Sequence, residues 1–112
     1  MKRSHRLLKD ADFQTVLNQK KFLKTQEFTI YGSTQSLGHT RVGLSVGKKV
    51  GNAVVRNKIR RQIRMMLSTN LDLQDPVDYI VMVRSPYLAQ TFKNNQANLI
   101  NLIKNLRRKL NG

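Results

Sequence analysis

Residues 41–67 read RVGLSVGKKVGNAVVRNKIRRQIRMML, and the spacing of apolar side chains changes once along this stretch. Apolar side chains recur every second residue over 41–46, which predicts a β-strand with one face turned inward. From Asn52, a residue type that commonly caps helices, they recur about every fourth residue and predict a helix over 53–67. The stretch therefore contains a strand, a glycine-bounded basic connection and a helix, in that order.

The segments before this stretch follow the same two spacings. Asp10 is predicted as the N-cap of a short first helix, with Phe13 and Leu17 on its apolar stripe. A pair of lysines, Lys20-Lys21, closes that helix. The next segment, 27–31, alternates as a strand, which puts Tyr31 on the face opposite the core.

The remaining segments complete the element order. Residues 33–40 predict a polar hairpin loop, and a further strand over 46–50 stays open as an alternative. The nearly continuous apolar run over 79–83 is typical of a strand covered on both faces, commonly a central one. A last helical region begins at Ser85-Pro86. The order α, β, β, α, β, α predicts an α+β fold.

Composition points to a folded basic domain. The 112 residues predict one domain over 1–112, and the 39% apolar content is enough for a modest core. Lys and Arg number 21 against six Asp and Glu, so the formal net charge is +15. Such an excess predicts a polyanionic partner. The absence of cysteine excludes disulfide scaffolds and thiolate metal sites.

No secretory signal or membrane-spanning run is found in the sequence. The basic N-terminus is not followed by the apolar stretch that a signal peptide needs, and no run of about 18 apolar residues occurs. No membrane association is therefore predicted, and a cytoplasmic location is expected.

The basic residues concentrate in an acid-free block over 28–71. Its eight members are Arg41, Lys48, Lys49, Arg56, Lys58, Arg60, Arg61 and Arg64. Like charges within one helical turn repel each other, so their concentration indicates an anionic surface nearby in the working state. Five of the eight, with Asn57, belong to the predicted helix over 53–67. That helix, about 22 Å long, would follow several phosphates of a nucleic acid.

Groups suited to catalysis by the protein are few. His5 and His39 are predicted in a flexible terminus and at a loop tip. None of the six carboxylates has a recognised acid/base or metal-binding spacing. The spacing of Asp72, Asp75 and Asp78 leaves a divalent-ion site as an alternative to a turn rich in capping aspartates. We therefore predict no catalytic residue and no protein-held metal.

Residues 48–64, KKVGNAVVRNKIRRQIR, closely resemble the signature of the bacterial ribonuclease P protein family, known as the RNR motif. The preceding strand RVGLSV, the pattern from Leu8 to Phe13, the strand ending in Tyr31 and residues 78–84 agree with this family. The resemblance covers essentially the whole chain. It implies a small two-layer α+β sandwich with a mixed four-stranded sheet, three helices and the basic helix in a left-handed β-α-β crossover.

The resemblance also implies a function. The protein would be the subunit of ribonuclease P that binds a catalytic RNA and holds the 5′ leader of precursor tRNA while the leader is removed. The Mg²⁺-dependent chemistry would belong to the RNA, so Mg²⁺ is expected at the RNA active site. Precursor tRNA and the catalytic RNA would be its partners, and no obligate protein partner is inferred.

Site residues are carried over by position. The resemblance implies RNA contacts for Lys48, Lys49, Arg56, Asn57, Lys58, Arg60, Arg61 and Arg64. It implies a leader cleft lined by Phe13, Leu17 and Tyr31. Lys58 replaces the second arginine of the motif and loses the bidentate fork. Leu17 stands where many members have an aromatic residue, and Phe13 could instead belong to the core.

Two other readings remain open at this point. A ribosomal or other structural RNA-binding protein would have the same composition. Sequence-specific DNA binding through a major-groove helix is less favoured, because no second helix precedes 53–67 at helix-turn-helix spacing.

Overall fold

The computed structural model describes residues 1–111. Its α-helices are α1 over Asp10–Asn18, α2 over Ala53–Asn70 and α3 over Phe92–Asn111, and short 3-10 helices span Arg3–His5 and Ser85–Ala89. Its strands are β1 over Phe22–Lys24, β2 over Phe28–Thr34, β3 over Arg41–Val46 and β4 over Val77–Val83. The predicted α+β class, with three α-helices and a mixed four-stranded sheet, is confirmed.

The strand order of the sheet is β1-β2-β4-β3. β4 pairs antiparallel with β2 and parallel with β3. The hairpin loop predicted over 33–40 is therefore wrong, because those residues connect two strands that lie on opposite sides of β4. The physical reason is the composition of β4. Its residues are buried on both faces except Met82, which is half-buried, and such a strand belongs in the centre of a sheet.

α2 connects β3 to β4. These two strands are parallel neighbours, so the chain makes a β-α-β crossover around the basic helix. The left hand of this crossover stays a prediction.

α2 and α3 cover one face of the sheet and form the main core. Each helix buries a stripe at i, i+4 and i+7, which is the spacing of one helical face. These residues are Ile59, Ile63 and Met66 in α2, and Leu99, Ile103 and Leu106 in α3. They pack with Phe28 and Ile30 of β2. Within residues 1–111, no helix is both long and apolar enough to cross a membrane.

The opposite face of the sheet carries a smaller apolar cluster under α1. Leu7, Val16 and Ile80 are buried at its centre. Phe13, Leu17, Tyr31 and Met82 are half-buried around them. Tyr31 therefore lies on the face that its alternation with Phe28 and Ile30 predicted.

The first helix differs from its prediction at both ends. It begins at Asp10 itself, with Lys9 as the N-cap and no side-chain capping bond. Asp10 thus acts in the first turn, where a carboxylate interacts favourably with the helix dipole. The helix ends at Asn18, and Lys20 follows with a φ of 56°, so the lysine pair lies beyond the helix. The short strand β1 comes next and was not predicted.

The connection before α2 and the end of α2 also differ from prediction. Residues 47–50 form a turn closed by the Val50 amide, which donates to the Gly47 carbonyl at 3.0 Å, so the alternative strand over 46–50 is absent. α2 continues to Asn70, whose side-chain amide donates to the Met66 carbonyl at 2.7 Å. The helix predicted to end at residue 67 therefore has one further turn, formed by Ser68, Thr69 and Asn70.

Candidate nucleic-acid interface

The start of α2 is fixed by its capping residues. Asn52 Oδ1 accepts a hydrogen bond from the Val55 amide at 3.0 Å, as the sequence predicted for the N-cap. A Cβ at Gly51 would lie 2.8 Å from Val55 Cγ1, so only glycine fits beside the first turn. Lys48 and Lys49 are exposed in the preceding turn. Both lysines therefore lie near the N-terminal end of α2.

One flank of α2 carries a row of arginines. Arg56, Arg60 and Arg64 follow each other at i, i+4 and i+8, and each is half-buried. Asn57 and Arg61 are exposed on the outward face. Arg60 Nη1 donates to Asn57 Oδ1 at 2.9 Å, which orients the guanidinium. The structure thus brings five of the six predicted helix residues together on one continuous surface.

Lys58 lies apart from that row. At 100° per residue it falls on the other flank of α2. There it lines a cavity with Gln62, Tyr87 and Phe92. The prediction that Lys58 would follow the same phosphates as the arginine row is therefore not supported by its position.

Arg6 joins this surface from the N-terminal segment, which the sequence predicted to be flexible. The Leu7 amide donates to the Val42 carbonyl at 2.9 Å, and Arg6 forms a parallel bridge with Val42. His5 Nδ1 donates to the Thr40 carbonyl at 2.7 Å, and His39 Nε2 donates to the Ser4 carbonyl at 2.9 Å. The two histidines thus hold the segment against β3, and the flexible terminus predicted for His5 is wrong.

Arg6, Arg61 and Arg64 line a common cavity of about 360 Å³. The pKa of Arg64 is lowered, first by burial and then by the positive charges of Arg6 and Arg60. The Nε atoms of Arg6 and Arg56 are buried without an acceptor among residues 1–111. Within that range, every ion pair involves Arg41 or Arg107. The arginines on and beside α2 therefore face each other without a carboxylate, which favours an anionic ligand.

The sheet face under α1 brings aromatic side chains together. Phe22, Tyr31, Ile80 and Gly43 are aligned across β1, β2, β4 and β3. The rings of Phe22 and Tyr31 are 5.1 Å apart. A Cβ at Gly43 would collide with the Phe13 ring, so this ring lies directly over the glycine.

The three predicted cleft residues thus share one surface. Phe13, Leu17 and Tyr31 are all half-buried in the same cluster, so each packs against the sheet and keeps part of its side chain open. Phe22, which is 38% exposed, extends this surface and was missed by the sequence analysis. The strand that carries Phe22 has only three residues, which is too short for an alternation of apolar and polar side chains to be visible in the sequence.

Basic side chains flank the same face at its open end. Arg84 donates from Nε and Nη2 to Thr29 Oγ1 at 3.1 and 2.9 Å, and Lys24 lies opposite Thr29 in the sheet. Lys24 and Arg84 line a common groove. Neither was predicted as a site residue. They add positive charge beside the aromatic surface.

The three aspartates that left a metal site open have separate partners. Asp78 pairs with Arg41 at 2.7 Å and Asp75 with Arg107 at 2.8 Å. Asp72 Oδ1 accepts from the Gln74 amide at 3.0 Å, which is a turn-capping contact. Within residues 1–111, no three metal-ligating side chains are grouped together.

The cationic surface of α2 and the aromatic sheet face define a small α+β nucleic-acid-binding protein. The family model described as Ribonuclease P matches residues 1–107. The ribonuclease P protein component of Mycoplasma mycoides subsp. mycoides is 39% identical over 109 residues, which cover 96% of this chain and 100% of that protein. The corresponding protein of Streptococcus gordonii is 38% identical over 104 residues, covering 93% and 87%.

Solved structures agree with these sequence matches. The RNase P protein of Staphylococcus aureus superposes with a TM-score of 0.80 at 34% identity, covering 89% of this chain and 93% of that one. The chain belongs to the ribonuclease P protein family. It is therefore an RNA-binding subunit of a tRNA-processing ribonuclease, with the ribonuclease P RNA as its partner. This membership decides against a ribosomal protein or a DNA-binding regulator.

Proposed function

We propose that the protein binds the catalytic RNA of ribonuclease P through α2 and holds the 5′ leader of precursor tRNA on the sheet face under α1. The observation that carries this proposal is the pairing of two surfaces. One is the arginine row of α2, which has no acidic partner within residues 1–111. The other is the sheet face under α1, where the rings of Phe22 and Tyr31 lie together and unpaired bases can stack on them.

The chain passes from the sheet to α2 at the end of β3. Ser45 pairs with Met82 on the same sheet face as Tyr31, and β3 ends one residue later. Lys48 and Lys49 follow and lead into α2. We therefore place Lys48 and Lys49 in the part of the RNA path that connects the sheet face with α2.

Hydrolysis in this proposal is carried out by the RNA. Mg²⁺ prefers oxygen ligands, above all carboxylates and phosphates. The acid-free block over 28–71 supplies no carboxylate to α2, and its cations repel a divalent ion. Mg²⁺ would therefore be held by RNA phosphates, while the protein chain 1–112 acts as one RNA-binding domain in the cytoplasm.

Reconstitution tests the proposal. The protein alone should leave a 5′-extended tRNA precursor uncut, and should accelerate its cleavage by the ribonuclease P RNA at low Mg²⁺ concentration. Equal cleavage rates with and without the protein would contradict it.

The leader contact is tested separately with Tyr31→Ala. Loss of the ring should weaken binding of precursor tRNA by about 1–3 kcal/mol and leave binding of mature tRNA unchanged, because only the precursor carries a leader. Tyr31→Phe is the matched control, since it retains the stacking surface. Equal losses for precursor and mature tRNA would remove Tyr31 from the leader site.

A further inference from the structure

A second cavity lies on the flank of α2 away from the arginine row. It has a volume of about 230 Å³ and is enclosed by α2, the 3-10 helix Ser85–Ala89 and the start of α3. We call it the Phe92 pocket. Leu88 and Phe92, which line it, are 54% and 38% exposed. Two large apolar side chains thus remain open to solvent at one cavity.

The frame of the Phe92 pocket is ordered by hydrogen bonds. Thr91 caps α3 by accepting the Asn94 amide at 3.1 Å, which holds Phe92 at the first position of the helix. Tyr87 donates its hydroxyl to Gln62 Oε1 at 2.8 Å. Burial raises the pKa of Tyr87 to about 12, so this hydroxyl stays protonated at neutral pH. The cavity is therefore a formed feature of the fold.

The polar groups of the pocket are mainly amides. Gln62, Gln90 and Asn95 line it, and Asn95 is 99% buried. Asn95 Nδ2 donates to the Tyr87 carbonyl at 3.0 Å, whereas Asn95 Oδ1 has no donor among residues 1–111. Gln62 and Gln90 are the more accessible of the three amides, so they are the ones that can offer hydrogen bonds to a ligand in the pocket.

Lys58 supplies the one charge in the lining. A ligand that matches the pocket needs an apolar planar body for Phe92, a hydrogen-bonding edge for the amides and a negative charge for Lys58. A nucleotide has all three. We propose that the Phe92 pocket binds one unpaired nucleotide of the RNA held by α2, with its base stacked on Phe92 and its phosphate on Lys58.

This inference rests on the proposed function, because α2 must carry RNA for a nucleotide to reach the pocket. The outward residues Asn57 and Arg61 lie between the arginine row and Lys58 around the helix. RNA that extends from the arginine row across the outward face of α2 would therefore reach Lys58 on the opposite flank of the helix. This position also accounts for the separation of Lys58 from the arginines.

The test measures the affinity of the full chain for ribonuclease P RNA. Phe92→Ala should weaken binding about five- to hundred-fold, the range expected for loss of one stacked base. Phe92→Tyr should bind within about twofold of the unchanged protein, since it keeps the ring. Leu37→Ala is the control for loss of an exposed apolar side chain, because Leu37 is 52% exposed and lies in a distant loop. Thermal melts of each variant check that it is folded.

A nucleotide titration examines the pocket directly. Adenosine 5′-monophosphate should shift the amide NMR signals of Phe92 and Asn95, whereas ribose 5-phosphate, which lacks the base, should not. Lys58→Gln should lower the salt dependence of RNA binding by about 0.7–0.9 slope units.

The outcomes separate the two proposals. If the unchanged protein does not bind ribonuclease P RNA, the proposed function fails. If the unchanged protein binds this RNA and Phe92→Ala binds it as tightly as Leu37→Ala does, the proposal that the Phe92 pocket binds a nucleotide is overturned. The apolar surface of the pocket would then serve another kind of partner.

Discussion

Arginine occurs in two contrasting settings in this protein. Arg41 donates to both carboxylate oxygens of Asp78, at 2.9 and 2.7 Å, and also contacts Asp12 at 3.2 Å. Its pKa is raised, above all by the hydrogen bond to Asp78. Arg64, on α2, has a pKa lowered by burial and by neighbouring cations. The charged form of the arginine side chain is thus stabilised at Arg41 and destabilised at Arg64.

The contrast separates arginines that hold the fold from those that serve a ligand. A guanidinium beside a carboxylate satisfies a charge that folding would otherwise leave unpaired. A guanidinium among other cations repels them until an anion arrives. Arg41 and Arg107 belong to the first group, and the arginines of α2 belong to the second. Substitutions in the first group should therefore lower the stability of the fold, whereas substitutions in the second group should lower the affinity for RNA.

The largest effect is expected for Arg41→Met. Asp78 is only 5% exposed, so removing Arg41 leaves a buried carboxylate without its cation. We expect the free energy of unfolding to fall by about 3 kcal/mol, measured by urea denaturation. Asp78→Asn added to Arg41→Met should recover part of this loss. If Arg41→Met were no more destabilising than Arg61→Met, the division into two groups would be wrong.

A smaller effect, on RNA affinity rather than on stability, is expected for Arg64→Gln. Loss of one charged contact should weaken binding of ribonuclease P RNA by about 1.5 kcal/mol. The slope of log affinity against log salt should fall by about 0.7–0.9 units. The free energy of unfolding should stay equal or rise, because a repelled cation is removed. An unchanged salt slope would place Arg64 outside the RNA interface.

The smallest effect is expected for Arg107→Met. Arg107 pairs with Asp75, but both side chains are about 30% exposed, at 27% and 31%, so solvent screens the pair. We expect about 0.5 kcal/mol of lost stability and no change in RNA affinity. A loss of RNA affinity as large as that of Arg64→Gln would move Arg107 into the second group.

Long, regular segments were predictable from the sequence. The strand over 41–46 is confirmed with the same bounds, and Asn52 caps α2 as predicted. Tyr31 was placed correctly, because alternation along a strand decides the face of each side chain. In each case the decisive interaction is local in the sequence.

Features that depend on distant contacts were not predictable. β4 separates β2 from β3, and the period of either strand carries no information about this neighbour. Arg6 was missed because its position depends on the bridge to Val42, 36 residues away. Lys58 has the charge of its neighbours, but only the packing of α3 and the 3-10 helix Ser85–Ala89 shows that it faces a different cavity.

The central position of β4 has a consequence for the order in which the protein can assemble during synthesis. β1 and β2 can pair as soon as both have left the ribosome, whereas β3 gains its strand partner only when residues 77–83 emerge. Until then, α2 has no completed sheet on which to bury its apolar stripe. The basic helix therefore lacks its packed environment until residues 77–83 emerge, while the nascent chain is next to ribosomal RNA, and chains stalled before residue 77 should be prone to bind the wrong RNA.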